Sequence, residues 1–487
     1  MPELLLLLVS PLAGALLLIF CGHRNRAAEI NVLFSAVTFL AAAALTLRIV
    51  EHGPLRALHE QFFVDSLNIF LVGLTAFVGM TTALFSRPYM RVERDRGHVS
   101  PTGLRLYHSM FQLFSFTMLL ALTTNNLGIM WVAMEGATLT TVLLVALYRS
   151  PSSLEAAWKY LILCGVGIAQ AMFGTILVYF AAERVLGPGV GSLLWTHLHA
   201  VQGSLEPTVM SIAFVFLLVG YGTKVGLVPL HSWLPDAHAE GPAPVSAVLS
   251  GLLLNVALYA LIRCKVITDG SLLRASGLPF AGSLLMGFGL LSVVVAAFFL
   301  SRQRDIKRMF AYSSIEHMGL MAFAFGMGGP VASFAGLLHM TVHSLTKSAI
   351  FFSVGHATQK TGTQMMENIR GLMRVNPTVG WGLLLGTVAI LGMPPFGVFA
   401  SEFLILTQAI TLHPWAAPIL LGALGMAFAA IFGKVQPMVF GETTASRLPH
   451  APALAPVFAH LGIVLLLGLY MPHTLALWYH QAALLVG

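Results

Sequence analysis

Charge is what this sequence has least of: 9% of its 487 residues are Asp, Glu, Lys or Arg, against roughly a quarter in ordinary soluble domains. No polar stretch is long enough to form a soluble domain. Cysteine is scarce too. The three cysteines, Cys21, Cys164 and Cys264, fall in separate apolar segments with no C-x-x-C spacing, which argues against an iron-sulfur cluster or a structural zinc site. There is no P-loop, and no strand leading into a G-x-G-x-x-G turn where a dinucleotide would sit. We therefore expect no cofactor and no metal in this chain, and any redox chemistry belongs to a partner. Nucleic acid is not an expected partner either, because the net charge of +7 comes from short basic loops suited to anionic lipid headgroups.

What fills the sequence instead is apolar: 57% of residues are hydrophobic and the mean hydropathy is +0.84. A bilayer-crossing helix needs about 20 apolar residues, and such runs follow one another almost end to end. They lie near 2–20, 30–50, 66–86, 107–123, 126–148, 157–182, 208–233, 243–264, 279–301, 308–327, 331–358, 377–412, 415–441 and 452–483. The expected fold is an all-α polytopic membrane protein with about 14 transmembrane helices. Glu3, Pro11 and the Cys21-Gly22-His23-Arg24 joint do not read as a cleavable signal, so the first run is expected to stay as a helix.

Lysine and arginine accumulate in cytoplasmic loops. Loops after odd-numbered helices carry 17 of them and loops after even-numbered helices carry 6. The odd loops are therefore expected inside, with both termini on the outer, periplasmic side of a cell inner membrane.

With Arg48, Lys159, Arg263 and Arg308, which stand at run ends, counted among those 17 and 6, three of the 26 Lys and Arg residues remain, and each lies within a run: Lys224, Lys347 and Lys434. A charge at mid-membrane costs roughly 2.5–3.5 kcal/mol on insertion scales, so each is a functional candidate. Lys434, late in its run, fits snorkelling to the headgroups as well as a polar exit route. Glu135 stands inside NNLGIMWVAMEGATLTTVLLVALY, and Lys224 is its natural counter-charge. A helix-fixing salt bridge is the plainer alternative for that pair. In AGLLHMTVHSLTKSAIFFSVGH, His339, His343 and Lys347 recur every fourth residue and make a stripe about 12 Å long on one helix face. Histidine titrates near neutrality and passes protons either way. Chelation by the two histidines is the rival, weakened by the cation at the third position and the lack of a local Cys or carboxylate.

Pro394 and Pro395 break the run that carries Glu402, and Pro229 breaks the run that carries Lys224. Paired interruptions point to an inverted-repeat transporter with ion sites at the breaks. We expect two inverted five-helix repeats, helices 4–8 and 9–13, with helices 7 and 12 broken. The corresponding divisions are 1–106, 107–268, 269–441 and 442–487. Asn255, Ser250, Glu316 and His317 are candidates to bridge the halves through water, a helix-helix hydrogen bond being as good an account of Asn255. His231 and His238 flank the WLPD corner and are candidates for a gate. Trp233 there also suits interface anchoring.

TKVGLVPLHSWLPDAHAEGPAPVSAVLSG, DIKRMFAYSSIEHMG, HMTVHSLTKSAIFF and GMPPFGVFASEFL resemble the antiporter-like subunits of NADH-quinone oxidoreductase (L, M and N types), of Mrp cation/proton antiporters and of membrane-bound hydrogenases. The likeness is strongest toward hydrogenase-4 and formate hydrogenlyase-type assemblies and runs from helix 3 to helix 13. It implies a proton-translocating subunit, without redox centres of its own, that works beside other membrane subunits of a hydrogenase or NADH dehydrogenase-like complex. Its pattern of proton-carrying groups falls here on Glu135, Lys224, His339, His343, Lys347 and Glu402. Asn255 stands where M-type subunits have lysine and Ser250 where L-type subunits have histidine, which moves the central relay toward Glu316 and His317. Glu402 follows the M type. The alternatives are a cation/proton antiporter and a proton-driven partner of an inorganic-carbon uptake protein, and Na⁺ in place of H⁺ is open in each.

Overall fold

The computed structural model describes residues 1–276, 279–443 and 454–486. Helices α1 (Pro2–Cys21) and α2 (Ala27–His52) lead through an antiparallel hairpin, β1 (Leu55–Ala57) and β2 (Phe62–Val64) with Leu55 opposite Val64, into α3 (Ser66–Asp95) and α4 (Pro101–Thr123). Next come α5 (Leu127–Val145), α6 (Pro151–Leu186) and the short α7 (Trp195–Val201). The first broken segment is α8 (Pro207–Val225) and α9 (Trp233–Glu240). Helix α10 (Ala243–Val248) passes through a π turn, Leu249–Leu253, into α11 (Leu254–Ser276). Then α12 (Phe280–Arg302), α13 (Ile306–Met327), α14 (Pro330–Thr361) and one turn, α15 (Leu372–Val375), precede the second broken segment, α16 (Pro377–Ile390) and α17 (Gly397–Leu412). The fold ends with α18 (Ala417–Phe440), α19 (Ala455–Leu469) and α20 (His473–Val486).

Polarity is arranged inside out. Leu5, Phe20, Trp158 and Phe403 are 44, 77, 62 and 58% exposed, whereas Lys224, His339, His343 and Lys347 are fully buried. An apolar surface over a charged interior is what lipid selects and water does not. Among the described residues ten helices are long and apolar enough to cross a membrane, or 11 if α19 and α20, bent by 83°, count as one span. Helices α13 and α14 are long enough but fail on polarity, and they bury Lys307, Glu316 and His317, and His339, His343, Lys347 and His356, respectively. Close helix contact depends on glycine where a side chain has no room. A Cβ at Gly220 of α8 would lie 2.5 Å from the Ala171 nitrogen of α6, and one at Gly319 of α13 would lie 2.7 Å from the Gly289 carbonyl oxygen of α12.

Several expected boundaries move. The stretch RPYMRVERDRGH, expected as loop, forms the last turns of α3, because Glu29 of α2 takes ion pairs from Arg87 and Arg91 and buried Glu93 accepts from Gln359 at 2.6 Å. Arg263 and Lys265, counted as loop cations, are buried in α11. Arg263 pairs with Asp65 at 2.7 Å and Lys265 with Asp269 at 3.2 Å, so acids supplied by the fold carry helix past the expected end at 264. The run 377–412 divides at 391–396 and the run 452–483 divides at 470–472, while its expected start, 452–453, lies outside the described residues.

Candidate functional site

The first centre forms where α8 stops. Gly226, at φ +81°, caps α8 by donating its N–H to Thr223 and Gly222 carbonyls, a left-handed conformation that suits glycine. The Thr223 carbonyl also accepts from the Trp233 indole N–H at 2.8 Å, so the start of α9 satisfies the end of α8 across the break. Lys224, two residues before the cap, is fully buried. Its ammonium lies 5.3 Å from the centroid of the Tyr160 ring, which stacks on Trp233 at 4.4 Å. Lys224 Nζ donates to Thr138 Oγ1, and Thr138 in turn donates to Glu135 Oε2 at 3.3 Å. Glu135 and Lys224 thus meet through a threonine one helical turn along α5. Among the described residues neither Lys224 nor Lys347 makes a direct ion pair.

The second centre forms among α13, α14 and α17. The stripe expected along α14 is there, but its hydrogen bonds run sideways. His339 and His343 have ring centroids 6.4 Å apart, whereas His317 of α13 stands 5.1 Å from His339 and 5.6 Å from His343. His317 Nδ1 and His339 Nε2 are hydrogen-bonded at 2.9 Å, His339 Nδ1 bonds Ser401 Oγ at 2.8 Å, and Glu402 Oε1 lies 3.6 Å from His317 Nδ1. The Glu402 carboxylate sits over the second break: a Cβ at Gly392, φ +62°, would fall 2.0 Å from its Oε2. At the other end of the stripe, Lys347 donates to the Phe310 carbonyl at 2.9 Å and lies 5.7 Å from the Phe310 ring centroid. Ser314 donates to the same carbonyl at 3.0 Å, and its hydroxyl pairs with Ser250 of the π turn at 2.7 Å. Glu316 is buried beside this group. Neither nitrogen of His343 has a hydrogen-bond partner among the described residues, so this imidazole is available to water or to a passing proton.

Residues 124–428 match the family described as NADH:quinone oxidoreductase/Mrp antiporter, TM, and they include both centres. The chain belongs to that family. A hydrogenase-4 component F homolog of Methylacidiphilum infernorum is 47% identical over 479 residues, 98% of each chain. Among solved structures, a chain of the membrane-bound sulfane sulfur reductase, an archaeal respiratory membrane complex, superposes with a TM-score of 0.89 at 24% identity, covering 99% of this chain and 97% of that one. A chain of respiratory complex I from Thermus thermophilus gives 0.75 at 25% identity, covering 95% and 97%.

The other candidates in this family member stand apart from the two centres. Asn255 Nδ2 donates to Ser344 Oγ at 2.7 Å and to the Met340 carbonyl at 3.0 Å, tying α11 to α14. His231 lies half-buried near Phe299 and Tyr312, with ring centroids 6.5 and 6.2 Å away. His238 is buried, bonded through Nδ1 to the Leu234 carbonyl at 2.9 Å. Lys434 donates to the carbonyls of Leu300, Ser301 and Gln303 at 2.8, 2.8 and 2.7 Å, which caps the carboxyl end of α12 with a positive charge. Thr138 and Ser401 were missed in the sequence. Thr138 lies three residues after Glu135 and Ser401 is next to Glu402, so i+3 spacing from a buried acid was the available signal for the first.

Proposed function

We propose that this chain is a proton-translocating membrane subunit of a multi-subunit redox complex of the hydrogenase-4, formate hydrogenlyase or NADH dehydrogenase kind. The observation that carries the proposal is a set of buried ionisable groups, Lys224, Lys347, Glu316, His343, His317, His339 and Glu402, with half-buried Glu135 beside Lys224, inside a body whose surface is apolar. A structural anchor has no reason to bear their insertion cost, which is roughly 2.5–3.5 kcal/mol for one central charge. The kinship with a hydrogenase-4 component F homolog supports the choice of complex.

In this proposal the polar helices α13 and α14, the broken pair α16–α17 and α19 cross the membrane alongside the ten apolar spans. That brings the chain to 14 crossings and two inverted five-helix repeats, in an inner membrane with both termini outside. Driven by its redox partner, the subunit loosens Glu135 from Lys224, and the lysine then releases its proton because a cation without a counter-charge is disfavoured in a low-dielectric site. Two charges about 5 Å apart interact by about 3 kcal/mol at an effective dielectric of 20, against about 2.3 kcal/mol to move one charge across 100 mV, so the switch is strong enough. The proton crosses by water to Ser250 and Ser314, then passes Lys347 and Glu316 to the histidines and leaves through Glu402. Lys224→Ala in the intact complex, reconstituted in liposomes, is expected to abolish redox-driven proton uptake. Undiminished pumping would overturn the proposal.

A second role, cation/proton antiport, is favoured by the family's inclusion of Mrp antiporters. It predicts proton flux that requires Na⁺ on the opposite side and no redox partner. Flux that is independent of Na⁺ rejects it.

A further inference from the structure

Three potential ligand atoms converge beside the second break. One nitrogen each from His317 and His339 and one carboxylate oxygen of Glu402 all lie within 4.8 Å of one another, contributed by α13, α14 and α17. The hydrogen bonds fix which lone pairs face the cluster. Ser401 donates its hydroxyl to the carbonyls of Gly397 and Val398, at 3.3 and 2.9 Å, and therefore accepts from His339 Nδ1. The two rings face each other at 2.9 Å, so the His339 Nε2 lone pair meets His317 Nδ1. Glu402 Oε1 lies 3.6 Å from His317 Nδ1, so a carboxylate is in place to balance a cation held between the two rings.

We propose that His317, His339 and Glu402 form a binding site for a divalent transition metal of the Zn²⁺ class, whose occupation plugs the Glu402 end of the proton path. Two imidazoles and a carboxylate make a tetrahedral zinc set with one open position, while Mg²⁺ and Ca²⁺ prefer oxygen-only sets. Ser401 supports the metal as a second layer of contacts: by taking the Nδ1 proton of His339 it leaves the Nε2 lone pair facing the cluster. With Zn–N bonds of about 2.0–2.1 Å, tetrahedral geometry places the two nitrogens roughly 3.3 Å apart, so the rings must separate by under half an ångström. The Glu402 side chain keeps 11% exposure against 3% for His317, so the cluster is less closed on the carboxylate side. Metal and proton compete for the same lone pairs, so a bound ion blocks transfer.

The site itself stands independently of the proton path, while its effect as a plug rests on the function proposed above. Full-length protein in detergent is titrated with Co²⁺, read by visible absorption. One Co²⁺ per chain is expected, with the intense bands of four-coordinate cobalt, displaced by one equivalent of Zn²⁺. Glu402→Gln and His339→Gln should each weaken binding at least tenfold, and His343→Gln, one turn along α14, should leave it unchanged. If His339→Gln fails to give a monodisperse peak on gel filtration, His317→Gln replaces it. Weak octahedral bands in the wild type, or equal uptake by Glu402→Gln, would overturn the site. In liposomes, Zn²⁺ should then slow proton flux at the concentration that fills the site. Binding without slowing overturns the plug alone, whereas absence of flux before zinc is added counts against proton translocation and leaves the site standing.

Discussion

Two breaks, Gly226 to Ser232 and Leu391 to Phe396, are built from the same parts and serve different chemistry. Each has a glycine at positive φ and an X-Pro bond in the cis form, Val228-Pro229 and Pro394-Pro395. At the first, the ion precedes the break: Lys224 closes α8, walled in by Tyr160 and Trp233, and touches its acid only through Thr138. At the second, the ion follows the break: Glu402 sits in the second turn of α17, within reach of two histidines that already touch each other. A lone lysine with a distant acid suits a switch, since one changed contact alters its charge balance. A carboxylate among linked histidines suits a terminus, since a proton reaching any member is shared.

The largest effect is expected from removing the switch. Lys347→Ala should lower redox-driven proton uptake in liposomes by tenfold or more, as Lys224→Ala should, because each deletes a carrier with no neighbour able to substitute. If Lys347→Ala pumps normally, the route from the first centre to the second bypasses α14. Glu402→Gln keeps the shape of the terminus but not its charge. Proton uptake is expected to fall severalfold, and a drop as deep as that of Lys224→Ala would erase the distinction between switch and terminus.

Thr138→Val tests whether the switch truly works through the threonine. The substitution strips Lys224 of its hydroxyl partner, and leaving a buried donor unpaired costs about 1–3 kcal/mol. A lower melting temperature in detergent and slower pumping are both expected, whereas unaltered pumping would mean that Glu135 and Lys224 meet directly during turnover. The smallest effect belongs to Lys434→Met. Loss of a cation at the carboxyl end of α12 should lower stability by about 0.3–1 kcal/mol, with pumping kept within twofold. A larger loss of pumping would return Lys434 to the proton exit.

Much of this was legible along the chain. The membrane class follows from run length and the rarity of charge, both local properties. The breaks follow from Pro229 and from Pro394-Pro395, each with a glycine close before it, since a missing N–H weakens a helix, although Pro11, Pro88 and Pro437 are carried inside α1, α3 and α18. Where sequence reasoning fell short, the deciding partner lay far away. Arg263 reads as a loop cation until Asp65, 198 residues upstream, is seen beside it, whereas Asp269, the partner of Lys265, lies only four residues along the same helix. Lys434 reads as a possible exit until the carbonyls of α12, more than 130 positions earlier, are found around its ammonium. The four-residue period on α14 places His339, His343 and Lys347 on one face, but it is silent on which neighbour that face meets.

The sequence by itself determined that these charges fall within long apolar runs, since run length and residue type are local properties. Only the tertiary structure decided which of them touch. Helix rotation and the glycine contacts between α6 and α8 and between α12 and α13 set distances to within an ångström, and hydrogen bonds are won or lost on that scale. Thr138 between Glu135 and Lys224, and His317 between His339 and Glu402, are products of packing, because their partners come from different helices.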